Sequence, residues 1–128
     1  MKYGNVLIVE DEPIMAYGLK VRFEKWGFDK VDVVENCDKM MARLDNYTFT
    51  LAVLDTSNDD HSLEMAQMLQ AKAPLAVLFL STMTVRMNAK KLKAIKHYKR
   101  INKPCQITQL RQVVEFLLSV RLPEDDLN

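Results

Sequence analysis

The sequence predicts an α/β fold in which helices cover both faces of an open, five-stranded parallel sheet. Short apolar runs recur along the 128 residues, and segments with the helical spacing of apolar residues lie between them. Strands that alternate with helices pair in parallel through right-handed crossover connections. The expected topology is therefore doubly wound and flavodoxin-like, with five helices and the strand order 2-1-3-4-5.

The five predicted strands are the apolar runs themselves. The third and fourth are almost continuously apolar, which is expected of strands with both faces covered. The runs are NVLIV (5–9), KVDVV (30–34), TLAVLD (50–55), LAVLFL (75–80) and the weaker KRIN (99–102).

The predicted helices follow these strands. Pro13 suits the first turn of the first helix, and Gly27 suits its C-terminal cap. The second helix is expected from residue 36 or 37 to 47, Asp60 is the expected cap of the third, and the fourth is expected over 84–95. The apolar stripes of the first, third and fifth helices are, in turn, Met15, Leu19, Phe23 and Trp26; Leu63, Ala66, Met68 and Leu69; and Leu110, Val113, Val114, Leu117 and Leu118.

Length and composition indicate one globular domain, expected over residues 1–122, with 123–128 as a flexible tail or the start of a linker. The net charge of +1 identifies no partner. The apolar runs are too short to span a bilayer and no secretory signal is recognisable, so a cytoplasmic location is expected. The two cysteines and two histidines lack metal-binding spacing.

Polar residues stand at the ends of four of the predicted strands. Glu10 and Asp11 come after the first strand, Asp55 ends the third, Ser81 follows the fourth and Lys103 follows the fifth. The carboxyl ends of parallel strands lie at one edge of the sheet, where such folds bind ligands. We therefore expect these five residues to meet in one crevice.

The residue types in this set favour a metal-assisted phosphoryl site. Carboxylates beside an apolar core repel each other unless a cation compensates them, and Mg²⁺ prefers oxygen ligands. Glu10, Asp11 and Asp55 therefore suit Mg²⁺. Lys103 adds a fixed positive charge and Ser81 a hydroxyl donor, so the set fits a phosphoryl group that a carboxylate attacks in line.

Four segments, taken together, resemble the signatures of two-component response-regulator receiver domains: LIVEDEP, LAVLDTS, LFLST and INKP. The resemblance extends from Asn5 to about Val120. It implies a signalling phosphoacceptor, not an enzyme, whose only chemistry is its own phosphorylation and dephosphorylation. It also implies Mg²⁺ as the cofactor and a histidine kinase or phosphotransfer protein as the phosphoryl donor.

The resemblance implies a role for each site residue. Asp55 would accept the phosphoryl group, which Ser81 and Lys103 would bind. The metal ligands would be Glu10, Asp11, Asp55 and the backbone carbonyl of Ser57. The pair Lys103–Pro104 is similar to the lysine–proline pair of the family, for which a cis peptide bond is expected.

The chain departs from the family pattern at several positions, among them the short span from Asp55 to Ser81, and Cys105, which stands where a phenylalanine is common. The loop after Asp55 reads TSNDDHS, where a Met-Pro-Gly-like turn is usual. Arg100 occupies the position three residues before Lys103 where an aromatic that moves on activation is common. Tyr98, expected on the same strand face as Arg100, is the candidate to replace that aromatic.

The segment 86–103 contains eight basic residues and no acidic one. In receivers the face formed by the fourth helix, fifth strand and fifth helix is commonly the output surface. We therefore expect this segment to meet an acidic downstream protein, a covalently linked output domain or a second copy of the chain. Direct nucleic-acid binding is the less favoured interpretation, because neither aromatic interleaving nor a helix-turn-helix pattern accompanies the charge. No membrane partner is expected. The expected surface residues are Arg86, Lys90, Lys93, Tyr98 and Arg100.

Three alternatives stay open. The acidic residues Glu10, Asp11 and Glu12 could simply complement the dipole of the first helix. The chain could be a degenerate receiver that binds proteins without phosphorylation. A Toprim-like nucleic-acid domain would also place VEDE after a strand, although it would need a glycine and a clean Asp-x-Asp motif that are missing here.

Overall fold

Strands and helices alternate along the part of the chain that the structure describes. The structure, a computed structural model, describes residues 3–55, 59–82 and 88–124, and for Asp59, Asp60 and Thr82 it describes the backbone alone. The strands are β1 (Asn5–Val9), β2 (Lys30–Val34), β3 (Leu51–Asp55), β4 (Ala76–Thr82) and β5 (Tyr98–Lys103). The helices are α1 (Pro13–Trp26), α2 (Cys37–Asn46), α3 (Asp59–Lys72), α4 (Ala89–Lys93) and α5 (Ile107–Leu118).

All five strands form one parallel sheet in the order β2-β1-β3-β4-β5, which confirms the predicted topology. The register pairs Val6 with both Val31 and Leu51, so β1 lies between β2 and β3. At the other side of the sheet, Thr82 pairs with Lys103. The carboxyl ends of β3, β4 and β5 therefore lie at one edge.

Helices cover both faces of the sheet. Alternate residues of a strand point to opposite faces and pack with the helices there in two separate apolar clusters. Val6 and Ile8 belong to the cluster that includes Phe23 and Trp26 of α1 and the apolar stripe of α5. The intervening residue, Leu7, belongs to the cluster built with α2, α3 and α4. This alternation is the period of two that a strand imposes on its side chains.

Local capping signals define the ends of α1 and α2. Pro13 is the first residue of α1, and Gly27 caps its end in the left-handed conformation with φ of 99°, as predicted. Glu12 is the N-cap, since its carboxylate accepts hydrogen bonds from the backbone nitrogens of Ile14 and Met15. Asn36 caps α2 by accepting a hydrogen bond from the backbone nitrogen of Lys39 at 3.0 Å.

Some predicted details of the helices are wrong. Met15 is exposed, because the buried face of α1 is centred on Ala16, Phe23 and Trp26. Met68 is exposed as well, because the buried apolar residues of α3 are Leu63, Met65, Ala66 and Leu69. Asp60 lies inside α3, one residue after its start, so it is not the cap.

The bounds predicted for the fourth helix, 84–95, are also wrong. The helix starts later because the side chain of Asn88 accepts hydrogen bonds from the backbone nitrogens of Lys90 and Lys91, and it ends at Lys93. Residues 83–87 lie outside the described part of the chain.

The C-terminal segment packs back onto the domain as far as the described residues extend. Leu122 is buried in the cluster of α1 and α5, and its backbone nitrogen donates to the carboxylate of Glu115 at 2.8 Å. Residues 125–128 of the predicted tail lie outside the description. Within residues 3–55, 59–82 and 88–124, no helix is long and apolar enough to cross a membrane.

Candidate functional site

The parallel register brings the predicted site residues to one edge of the sheet. Asp55 is the last residue of β3 and pairs with Leu80, so Ser81 is the next residue along the neighbouring strand. Lys103 is the last residue of β5. Glu10 directly follows β1, which lies on the other side of β3. Four side chains that are distant in sequence thus surround the end of β3.

Asp55 and Lys103 form the centre of the site. The Asp55 side chain is buried, and Lys103 Nζ donates a hydrogen bond to its Oδ1 atom in a close ion pair. Within the described residues, no group donates a hydrogen bond to the other oxygen, Oδ2, although it is buried. A buried carboxylate with one unoccupied oxygen can accept a proton, a cation or an electrophile.

Glu10 lies beside Asp55 and is only 5% exposed. Its Oε1 atom accepts a hydrogen bond from the backbone nitrogen of Glu12 at 2.9 Å. Burial, followed by a side-chain hydrogen bond with Asp55, raises the pKa of Glu10 from 4.5 to about 8. At neutral pH without a cation, Glu10 therefore favours its protonated form, which avoids a second negative charge beside Asp55.

The other two acidic residues of this segment have different surroundings. Asp11 is exposed. Glu12 is exposed as well, and its carboxylate caps α1. The helix-dipole alternative thus applies to Glu12, whereas Glu10 faces the buried site.

Ser81 is 1% exposed, and its hydroxyl oxygen accepts a hydrogen bond from Arg100 Nε at 2.9 Å. Sequence reasoning missed this contact, because it treated Arg100 as a surface residue. The available signal was the register: Arg100 pairs with Phe79 on β4, two residues before Ser81 and on the same strand face. A long side chain at that position can reach the edge of the sheet.

The donor set fits a hard cation, although the described residues contain no group of three acidic, histidine or cysteine side chains placed to hold a metal. Ser57, the fourth expected ligand, lies outside the described residues. Two buried carboxyls, Glu10 and Asp55, meet at the site, and Asp55 has an oxygen without a donor. Asp11 is the adjacent exposed carboxylate. Because Mg²⁺ retains several waters, this set provides enough oxygen ligands.

Only some of the residues expected on the partner surface are fully exposed. Lys90 and Lys93 are exposed. Tyr98 is half-buried, because its ring packs edge-on against Phe79 with centroids 6.0 Å apart. Arg100 is half-buried and reaches Ser81. Arg86 lies outside the described residues.

A groove of about 830 Å³ opens beside the site, between the start of α1 and the start of α5. Glu10 and Lys103 line this groove, and so do the exposed apolar side chains Ile14, Met15 and Ile107. The Lys103–Pro104 peptide bond, which is cis as expected, lies on its wall. Sequence reasoning missed this groove, although Ile14 and Ile107 are apolar residues outside the predicted helix stripes.

Comparisons with known proteins identify the family. The model of the response regulator receiver domain matches residues 6–115. No curated protein sequence is significantly similar to the chain.

Several solved structures share the fold. The receiver domain of the TMAO respiratory system response regulator TorR is 22% identical with a TM-score of 0.78, and the match covers 91% of this chain and 97% of that one. The N-terminal domain of a response regulator/sensory box/GGDEF protein from Carboxydothermus hydrogenoformans is 20% identical with a TM-score of 0.78, covering 90% and 94%.

A chain from the complex of histidine kinase ThkA with response regulator protein TrrA is 22% identical, with a TM-score of 0.72 and coverage of 92% and 99%. At these identities the structural likenesses establish the fold alone. The family follows from the sequence match, which extends over most of the chain and removes the Toprim-like alternative. The chain therefore belongs to the response regulator receiver domains, the signalling receivers of two-component systems.

Proposed function

We propose that this receiver takes a phosphoryl group from a phosphohistidine of a histidine kinase or phosphotransfer protein onto Asp55. The observation that carries the proposal is the state of the Asp55 carboxylate. It is buried at the edge of the sheet, one oxygen is bound by Lys103, and the other receives no hydrogen bond from the described residues.

In the proposed transfer, a carboxylate oxygen of Asp55 forms a bond to phosphorus while the P–N bond to the donor imidazole breaks. The imidazole nitrogen keeps the bonding electron pair and takes a proton from solvent. Asp55 becomes an acyl phosphate. Lys103 has three N–H donors, so it can bind a phosphoryl oxygen as well as Asp55. The hydroxyl of Ser81 is a further donor at the same edge.

Glu10, Asp11, Asp55 and the backbone carbonyl of Ser57 would hold Mg²⁺, which would supply positive charge beside the phosphoryl oxygens. Glu10 must release its proton to act as a ligand, and the attraction of a divalent cation lowers the pKa of a carboxyl. The two buried carboxyls and the lysine would then form a site with little net charge. The positive charge of the ion would thus offset the cost of burying both carboxyls in their ionised form.

The groove between α1 and α5 is where we expect the phosphohistidine-bearing protein to bind. Glu10 and Lys103, which both contact Asp55, line this groove, so a partner seated there lies beside the site. Its exposed apolar side chains, including Ile14 with 79% exposure, provide surface whose burial favours association. The proposed setting is the cytoplasm, where the two free cysteines, Cys37 and Cys105, would remain reduced.

For the output we propose an acidic partner, either a separate protein or a linked domain, on the surface that carries Lys90 and Lys93. These side chains are exposed, and α4 has no acidic residue. Opposite charge on a partner would favour this surface over the more acidic remainder of the chain.

The phosphoacceptor is tested by intact mass after incubation with a small phosphodonor and Mg²⁺. We expect a gain of one phosphoryl group that disappears in Asp55→Asn and with a chelator. The matched control is Asp45→Asn, since Asp45 is an exposed acid paired with Lys72 away from the site, and it should be phosphorylated normally. A gain that persists in Asp55→Asn would rule out Asp55, whereas no gain in any variant would favour the degenerate-receiver alternative.

A further inference from the structure

Arg100 reaches the phosphoryl-binding edge from the neighbouring strand. It lies on β5, three residues before Lys103, and its register partner on β4 is Phe79. Its Nε atom is 2.9 Å from Ser81 Oγ in a partly buried contact. One strand therefore places two cationic side chains on the site: Lys103 on the Asp55 carboxylate and Arg100 on the Ser81 hydroxyl.

The direction of this hydrogen bond is determined by chemistry. A guanidinium has only donors and stays charged, so Ser81 must be the acceptor. A hydroxyl has two lone pairs and one proton, and the bond from Arg100 occupies one lone pair. The Ser81 proton thus remains available to a second partner. A donor that carries a full charge also polarises the hydroxyl and makes its own O–H a stronger donor.

We propose that Arg100 is a positioning residue that holds the Ser81 hydroxyl as a hydrogen-bond donor for a phosphoryl group on Asp55. The bond from Arg100 to Ser81 can persist while Ser81 donates to the phosphoryl oxygen, since the two bonds use different parts of the hydroxyl. Arg100 therefore stabilises the phosphorylated state through Ser81. This inference rests on the proposed function of Asp55.

The test is a double-mutant cycle that measures the affinity for the phosphoryl mimic beryllofluoride in the presence of Mg²⁺. Arg100→Ala should weaken the affinity about three- to tenfold, which is the usual effect of one hydrogen bond. In a Ser81→Ala background, Arg100→Ala should have an effect of less than about twofold, because its route to the ligand is gone. Arg100→Lys, which keeps the charge but loses the Nε–H, should fall between the parent and Arg100→Ala.

Lys99→Ala is the matched control. It removes a cation from the adjacent position of the same strand, where Nζ lies 4.5 Å from the ring centroid of Phe116 instead of at the site. Its beryllofluoride affinity should equal that of the parent. Thermal unfolding of each variant shows whether it is folded at the assay temperature.

The outcomes separate this inference from the function on which it rests. If the parent binds no beryllofluoride and gains no phosphoryl group, the proposed function of Asp55 fails. If the parent binds beryllofluoride and Arg100→Ala binds it equally well, only the role of Arg100 is overturned. The same holds if Arg100→Ala weakens the affinity as much in the Ser81→Ala background as in the parent. Should Arg100→Ala be unfolded, Arg100→Lys decides: parental affinity in that variant would contradict the role of the Nε–H donor.

Discussion

Glu10 shows how one buried acid links the site to the stability of the domain. Its carboxyl is 5% exposed and lies beside Asp55, so ionisation places two negative charges in a poorly solvated space. The protonated form is therefore favoured in the folded state. Asp11, the next residue, is exposed and avoids this constraint.

We predict that, with a chelator present, the free energy of unfolding falls as the pH rises from about 4.5 to about 8. The pKa of Glu10 is raised by folding, so in this window the unfolded chain has released a proton that the folded chain retains. The contribution of Glu10 is complete below 4.5 and is lost as the pH passes about 8. Urea unfolding at a series of pH values measures this slope.

Glu10→Gln should reduce this slope, because glutamine cannot ionise. Asp11→Asn is the control and should leave the slope as in the parent, since Asp11 is exposed. An equal slope in Glu10→Gln and the parent would show that Glu10 ionises as freely in the folded state as in the unfolded chain.

At the scale of single elements, one glycine inside α1 and one at its C-terminal cap have opposite requirements. Gly18 lies within the helix, and a Cβ at this position would meet nothing within 4 Å. Gly27 caps the helix with φ of +99°, and a Cβ there would approach the Tyr3 ring to 3.4 Å. Helical glycine costs backbone entropy, whereas a left-handed residue with a side chain is strained.

We predict that Gly18→Ala raises the free energy of unfolding by about 0.5–1 kcal/mol and that Gly27→Ala lowers it by about 1 kcal/mol. The two variants make the same chemical change in one helix and serve as controls for each other. Chemical denaturation measures both. A loss of stability in Gly18→Ala would mean that the open space beside it is needed by the fold.

At the scale of the whole molecule, β4 and β5 connect the edge of the sheet that carries Asp55 to the proposed output surface. Ser81 is the next-to-last residue of β4 and Lys103 is the last residue of β5, which is one of the two outer strands of the sheet. An outer strand has only one neighbouring strand with which to form backbone hydrogen bonds. The free energy of its local opening therefore depends on the contacts made at its carboxyl end.

We predict that beryllofluoride with Mg²⁺ slows amide hydrogen exchange severalfold across β5, as well as near Asp55. Residues 30–34 of β2, the outer strand on the opposite side, provide the internal reference and should change little. Asp55→Asn should show no response. If exchange changes only in the residues next to Asp55, the surface of α4 and β5 does not report phosphorylation.

The sequence by itself determined the architecture and the edge of the sheet at which Asp55, Ser81 and Lys103 lie. Its apolar runs and helical stripes follow periods of two and 3.6 residues, which the backbone geometry imposes before any tertiary contact exists. Alternation of strand and helix then leaves few topologies, and the observed strand order is the predicted one. Asp55, Ser81 and Lys103 could be assigned to one edge, because parallel strands all end on the same side.

Only the tertiary structure decided how individual side chains share that edge. Sequence position does not distinguish buried Glu10 from exposed Asp11, since the path of the chain after β1 decides which carboxyl faces Asp55. The same is true of Arg100, whose long side chain can point to solvent or to Ser81. These choices depend on packing and on the balance between hydration and hydrogen bonding in three dimensions, which no local pattern of residues encodes.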